Sequence, residues 1–247
     1  MKNIVEVCCG SYADALAAYK NNADRVELNS ALQVGGLTPS LASLLLTKMH
    51  TDIKVITMIR PRSAGFCYSD EDFEVMKMDT KILLENGSDG IAFGILKDDS
   101  SIDVERCKEI VEIAKSYNKE VVFHRAFDCL DDPYEGIETL INLGVDRVLT
   151  SGLRATAYDG KELIKELQEK YGDKIEILAG SGINASNAKE LIEYTGIYQV
   201  HSSCKSYVSD VTTKGRYVSY SYLEKPHELD YDIVSEDLVS QLVKSIE

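Results

Sequence analysis

No stretch of this chain approaches the roughly 18 uninterrupted apolar residues that a membrane-spanning helix needs. Positive charge is also short. Lys and Arg number 27 against 41 Asp and Glu, a formal net charge of −14, whereas a nucleic-acid partner calls for a basic surface. The acidic balance names no partner of its own, because acidic surfaces mainly keep proteins soluble. The six cysteines, at 8, 9, 67, 107, 129 and 204, contain no C-x-x-C pair and no disulfide-framework spacing. Met1-Lys2-Asn3-Ile4 leads into a strand without an apolar signal segment, so reduced thiols and a cytoplasmic location are expected. The first strand is followed by Cys8-Cys9-Gly10-Ser11 and not by G-x-G-x-x-G, which disfavours a dinucleotide-binding sheet.

What is present is a repeated junction. Asn22–Leu28, Gly87–Phe93 and Gly144–Thr150 each carry a helix tail, a small turn, an Asp and a short apolar run. A helix entering a buried parallel strand has this form, and its recurrence marks a repeated strand–helix unit. Eight such runs can be read: Ile4–Cys8, Arg25–Leu28, Lys54–Ile59, Gly90–Gly94, Glu120–Phe123, Arg147–Thr150, Ile175–Ala179 and Tyr198–His201. Between them lie capped helices. Thr38 is read as a cap with Pro39 at the first position, Asp132-Pro133 repeats the arrangement, and Ser69-Asp70-Glu71-Asp72 places acids in a first turn. Eight alternations in about 200 residues predict an α/β fold of the (β/α)8 TIM-type barrel class. The barrel is assigned to 1–203 as a single domain, with 204–247 as a C-terminal extension packed on the barrel or on a partner subunit of a homo-oligomer. Within it, Lys205–Tyr222 reads as loop or hairpin and Ile233–Ile246 as a closing helix.

Chemistry in such a barrel gathers at the C-terminal strand ends. Several runs close on polar residues, namely Glu27, Arg60, His124, Ser181 and His201. By strand parity Glu6 shares a face with Cys8, Glu27 with Asn29, Met58 with Arg60, Val122 with His124, and Gln199 with His201. If those faces point inward, carboxylates, thiols, an Arg and two His meet at the mouth. The plain structural alternative is a set of ion pairs, such as Glu27 with Arg60. Met58-Ile59-Arg60-Pro61-Arg62 offers two guanidinium groups to an anion. Phe123-His124-Arg125-Ala126-Phe127-Asp128 offers a His for acid–base work, with Asp128 to orient it. Gly180-Ser181-Gly182, ahead of a helix read to begin near Asn184, offers backbone amides of Ser181 and Gly182 to a phosphate or carboxylate. Adjacent Cys8 and Cys9 point to opposite faces and make no chelate. A metal site from Cys8 with His124 or His201 has to be assembled by the fold, and soft Cu(I) accepts thiolate and imidazole.

These segments resemble the CutC family of copper-homeostasis proteins. The resemblance runs in order over about residues 1–205, through Glu6-Val7-Cys8, Arg25–Leu28, Gly35–Ser40, Met58–Arg62, Phe123–Asp128 and Val148–Gly152. It implies a TIM-type barrel, a cytoplasmic location and copper handling, with copper bound as Cu(I) in some members. On that basis Cys8 and His201 are the expected metal ligands. Where some members carry a second cysteine, this chain has Asn29. The matching Glu27, Arg60, His124, Arg125 and Asp128 form a hard, charged cluster. The rival expectation is therefore a TIM-barrel enzyme acting on a small anionic metabolite, phosphorylated in one version. In it Glu27 and His124 exchange protons, Asp128 orients the His, and Arg60, Arg62 and Arg125 clamp the anion.

Overall fold

Short Val- and Ile-rich runs, flanked by helices on both sides in sequence, become strands buried on both faces. A computed structural model describes residues 2–247, leaving Met1 outside the described residues. The strands are β1 (Ile4–Cys9), β2 (Arg25–Leu28), β3 (Lys54–Met58), β4 (Gly90–Phe93), β5 (Glu120–Phe123), β6 (Arg147–Thr150), β7 (Glu176–Gly180) and β8 (Gln199–Ser202). They pair in sequence order, all parallel, and β8 closes on β1. Around them run α1 (Tyr12–Lys20), α2 (Leu41–His50), α3 (Asp70–Glu85), α4 (Val104–Ser116), α5 (Pro133–Leu143), α6 (Lys161–Tyr171) and α7 (Ala188–Thr195). The chain is a (β/α)8 barrel.

The repeated Asp has a specific task. Asp24 Oδ2 accepts from Val5 N at 2.9 Å, Asp89 Oδ2 from Val55 N at 2.9 Å, and Asp146 Oδ2 from Val121 N at 2.7 Å. In each case the acid at one strand's start captures an amide near the start of the preceding strand. It also receives a lysine, Lys2, Lys48 and Lys115 in turn.

Two helix starts differ from the sequence reading. Ser40, not Thr38, caps α2, because Thr38 is bonded to the Arg60 backbone instead. The helix expected near Asn184 begins at Ala188, because a turn held by the Asn184 and Asn187 side chains precedes it. Beyond residue 203, β9 (Lys205–Ser209) and β10 (Asp230–Val234) form an antiparallel hairpin. The closing helix α8 (Glu236–Ile246) therefore starts three residues later than read. It packs between α7 and α1, burying Val239, Leu242 and Ile246, and supplies the eighth helix of the ring from residues assigned to the extension.

The interior is divided. Ile56, Met58, Ala92, Val122, Leu149 and Leu178, from β3 to β7, form a separate apolar cluster inside the barrel. Below them, toward the N-terminal strand ends, lies a chain of polar contacts. Lys54 pairs with Glu120, Glu120 Oε2 with Arg147 at 3.1 Å, Arg147 with Glu176 Oε2 at 2.8 Å, and Gln199 Nε2 with the same oxygen at 2.9 Å. Gln199 Oε1 accepts from Arg25 at 2.9 Å, and Arg25 pairs with Glu6. Burying such ions costs several kcal/mol each and is repaid only when each is paired and hydrogen-bonded.

The Arg25–Glu6 pair is the most deeply buried, with side chains 3% and 2% exposed. Arg25→Met is therefore expected to lower unfolding free energy by about 3–5 kcal/mol, since it strands the Glu6 charge. Lys54→Met, at a half-exposed pair, is expected to lose less than about 1 kcal/mol. Urea denaturation of the two variants checks this; equal losses would contradict it.

Candidate functional site

Parity along β1, β2 and β8 carries Cys8, Glu27 and His201 to the mouth of the barrel. Their donor atoms lie within 4.8 Å of one another. Cys8 Sγ stands 3.7 Å from Glu27 Oε2, and the Asn29 amide donates to the same oxygen at 2.9 Å. His201 Nδ1 bonds Glu6 Oε1 at 2.7 Å, which leaves Nε2 as the nitrogen free to act. Burial, then the Glu27 charge, push the Cys8 thiol well above its ordinary range. Burial also raises the Glu27 carboxyl, with Glu6 adding to the effect and His201 opposing it. For His201 burial works downward, but the Glu6 hydrogen bond and the Glu27 charge prevail, and its pKa is raised. Glu6 itself is held below the usual carboxylate range; burial opposes this, but Arg25 and His201 outweigh it.

The opposite wall comes from β3 and β5. Arg60 is 5% exposed, and its terminal nitrogens donate to neutral carbonyls, Val34 O at 2.9 Å, Gly36 O at 2.8 Å and Ala64 O at 2.6 Å, with the Tyr68 hydroxyl close by. The loop carbonyls come this close because Gly35 and Gly36 hold φ of +89° and +84°; a Cβ on Gly36 would sit 2.4 Å from Asn29 Oδ1. Arg60 Nε has no partner. His124 is 4% exposed, and its Nδ1 accepts from Ala126 N at 3.1 Å. That bond fixes the neutral tautomer with the proton on Nε2, and Nε2 too is without a partner. Burial, reinforced by the Arg60 charge, pushes the His124 pKa down to about 3. Both walls line one cavity of about 330 Å³, to which Met58, Leu149 and Phe66 add apolar surface.

Several expected roles are corrected by this geometry. Glu27 does not pair with Arg60; its partners are Asn29 and Cys8. His124 is a fixed neutral donor and not a group titrating near pH 7. Asp128 does not orient it, because that carboxylate is spent on Arg125, Thr150, Ser151 and the Leu153 amide. Asp128 thereby staples the loop after β5 to the loop after β6. Arg62 turns away from the cavity to Asp72 and the Cys67 carbonyl and stacks over Tyr68. Arg125 does reach the cavity rim, tied to Asp128 and Ser151. Ser181 and Gly182 line it as well, in left-handed backbone at φ +82° and +73°, but no helix starts at them. His124 is not among the clustered potential metal donors, and Glu27 joins Cys8 and His201 instead. Lys205, from the first strand of the hairpin, also lines the cavity. Its place three residues past the end of β8, where barrel sites are built, is the signal that could have found it.

A closed eight-stranded parallel barrel with a pocket of carboxylate, thiol, imidazole and guanidinium at its C-terminal end is of the TIM-barrel class. Within that class, the model of the CutC family matches residues 3–206, and the chain belongs to that family. A "family protein CutC" of Treponema denticola is 43% identical over 248 residues, covering 100% of both chains. The human "copper homeostasis protein cutC homolog" is 42% identical over 203 residues, 82% of this chain and 74% of that one. A solved CutC structure from Streptococcus agalactiae superposes with a TM-score of 0.77 at 31% identity, covering 81% of this chain and 98% of that one. Among the described residues no helix is long and apolar enough to cross a membrane.

The depressed His124 pKa has a defined sign. A histidine neutral in the fold and free to charge when unfolded contributes stability that is present above its ordinary 6.5 and is lost as pH falls below it. Between pH 7 and 5, wild type is expected to lose about 2 kcal/mol more than His124→Gln, since each pKa unit is worth about 1.4 kcal/mol. Urea midpoints at the two pH values check this, and parallel losses would show that His124 reaches water.

Proposed function

We propose that the protein is a cytoplasmic copper-homeostasis barrel whose cargo ion, as Cu(I), is held at the mouth by Cys8 Sγ and His201 Nε2, with Glu27 beside them. The observation that carries this is the gathering of three donors, a half-buried Cys8 with buried Glu27 and His201, from three adjacent strands, within 4.8 Å. Thiolate and imidazole suit Cu(I), and a low coordination number needs no fourth protein ligand. Glu27 is the hard member of the set and stands outside the first pair of bonds. The Glu6 bond to His201 Nδ1 orients the ring, as carboxylates commonly do behind metal-bound histidines. The likeness to the human copper homeostasis protein cutC homolog supports the copper assignment. Asn29 lies 3.6 Å from Cys8 Sγ and supplies an amide in place of a second thiolate. No nucleic-acid partner is part of this reading.

Competition for Cu(I) against a chelator should show Cys8→Ala and His201→Ala weaker than wild type by at least about 10–100-fold, a loss already typical of residues one layer further out. Arg125→Ala, at the rim, should compete like wild type. Identical competition by wild type and Cys8→Ala would remove the copper site from this wall.

A second reading rests on a different observation, the two unspent buried donors on the opposite wall. The same cavity is then the active site of an enzyme that acts on a small anion. Glu27, its pKa raised by burial, exchanges the proton. Arg60 and His124 hold the charge, with Arg125, Ser181 and Gly182 at the rim. Incubation with a cell metabolite extract should deplete one small acid, and Glu27→Gln should slow this by about 100-fold or more, the usual scale of a general acid or base. Depletion that proceeds equally with Glu27→Gln would take Glu27 out of the chemistry.

A further inference from the structure

We propose that the loops after β7 and β8 form a phosphoryl subsite on the cavity rim, for the phosphate group of a small phosphate monoester. The amides of Ser181, Gly182 and Ile183, the Ser203 hydroxyl and the Lys205 ammonium hold that group. This rests on the small-anion reading and names its substrate class.

The cavity reverses the charge of the molecule around it. The chain carries a net charge of −14, yet three cations, Arg60, Arg125 and Lys205, line the cavity against one carboxylate, Glu27. A cleft lined by one sign of charge concentrates ions of the other. The β7 loop adds directed donors. Ser181 O accepts from Ala157 N at 3.0 Å, Gly182 O from Asn187 Nδ2 at 2.9 Å, and Ile183 O from Ser202 Oγ at 2.6 Å. All three carbonyls are thus held by the protein, whereas the three amides donate to no acceptor among the described residues. Successive free N–H groups in a turn make a concavity that suits an anion. The Ser202 bond joins this loop to the next, on which Ser203 and Lys205 follow. Both are exposed and both line the same cavity. Lys205 Nζ stands 3.6 Å from Asp232, outside hydrogen-bond distance, so its donors remain available. Ile183, Ser203 and Lys205 also border a second cavity of about 410 Å³, so this strip is not sealed inside the barrel.

The number of donors selects the ligand. Three amides, a hydroxyl and an ammonium exceed what a carboxylate can use, with its two oxygens and single charge. A phosphate monoester brings three terminal oxygens and a charge of about −1.5 to −2 near neutral pH. The remaining space, within about 330 Å³, takes a small organic body against Met58, Phe66 and Leu149.

The test uses the full chain labelled with 15N, with the amide resonances of Gly182 and Ile183 as readout. Sodium phosphate and sodium glycerol 1-phosphate are titrated in near neutral pH, against sodium acetate and sodium chloride at equal ionic strength. Saturable downfield movement with the two phosphates, and none with acetate or chloride, is the expected result. Lys205→Gln should weaken glycerol phosphate by about tenfold or more, the scale of one charge-assisted contact. Lys214→Gln removes the same charge from the exposed stretch between β9 and β10 and should bind like wild type. The proposal is overturned if neither phosphate moves the two amides, if acetate moves them equally, or if the two lysine variants have equal effects. Wild-type titration alone decides the first two outcomes, should Lys205→Gln fold poorly. Phosphate binding in a protein that turns over no acid would leave the subsite standing and remove the enzyme reading. Turnover of an acid that carries no phosphate group, with both amides unmoved, would do the reverse.

Discussion

The Glu6 carboxylate holds two regions of the barrel together. One oxygen pairs with Arg25 and so joins the chain of charges that fills the lower interior. The other accepts from His201 and aims that ring at Cys8 and Glu27. Barrel interiors are usually packed with branched apolar side chains, and here β3 to β7 follow that habit while β8, β1 and β2 do not. An ionised Glu6 is tolerable only because the Arg25 guanidinium and the His201 ring nitrogen both meet it inside the core, and those partners are placed by the same strand register that builds the site. Stability and site geometry therefore share one residue.

Above that base the cavity has two unlike walls. The β8–β1–β2 side presents a thiol, a carboxyl and an imidazole, all with raised pKa values, so its protons are held tightly. The β3–β5 side presents the Arg60 guanidinium and the His124 ring, which burial and the Arg60 charge hold neutral. The proposed copper reading rests on the first wall and the proposed enzyme reading on both. The loops are made rigid by contacts that touch no ligand. Asp128 gathers the loops after β5 and β6, and the Gly35–Gly36 turn wraps its carbonyls around Arg60. A cavity whose walls are set this firmly is preorganised for its occupant.

Much of the fold was legible in the sequence because its signals are local. The junction at Asp24, Asp89 and Asp146 reads as a strand entrance, and each of these acids does cap the preceding strand. Period and parity placed Cys8, Glu27, His124 and His201 on the inward face. Helix starts were less legible where a polar residue had a competing partner. Thr38 looks like a cap, but the Arg60 backbone claims it. Asn184 begins a turn and not a helix, because its side chain accepts from Ser186.

Roles at the site could not be read the same way. Arg60 and Arg62 are chemically identical and two residues apart, yet one is buried in the cavity and the other is bonded to α3. His124 and Asp128 lie at a spacing that suggests a catalytic pair, but Asp128 is drawn to the β6 loop, distant in sequence. By itself the sequence determined the alternation of strands and helices, the inward parity and the set of polar groups at the strand ends, since these follow from neighbours along the chain. Which of those groups pair, which stay unspent and which protonation states they hold were decided only by the tertiary structure, because burial and charge at the mouth come from residues up to 195 positions apart.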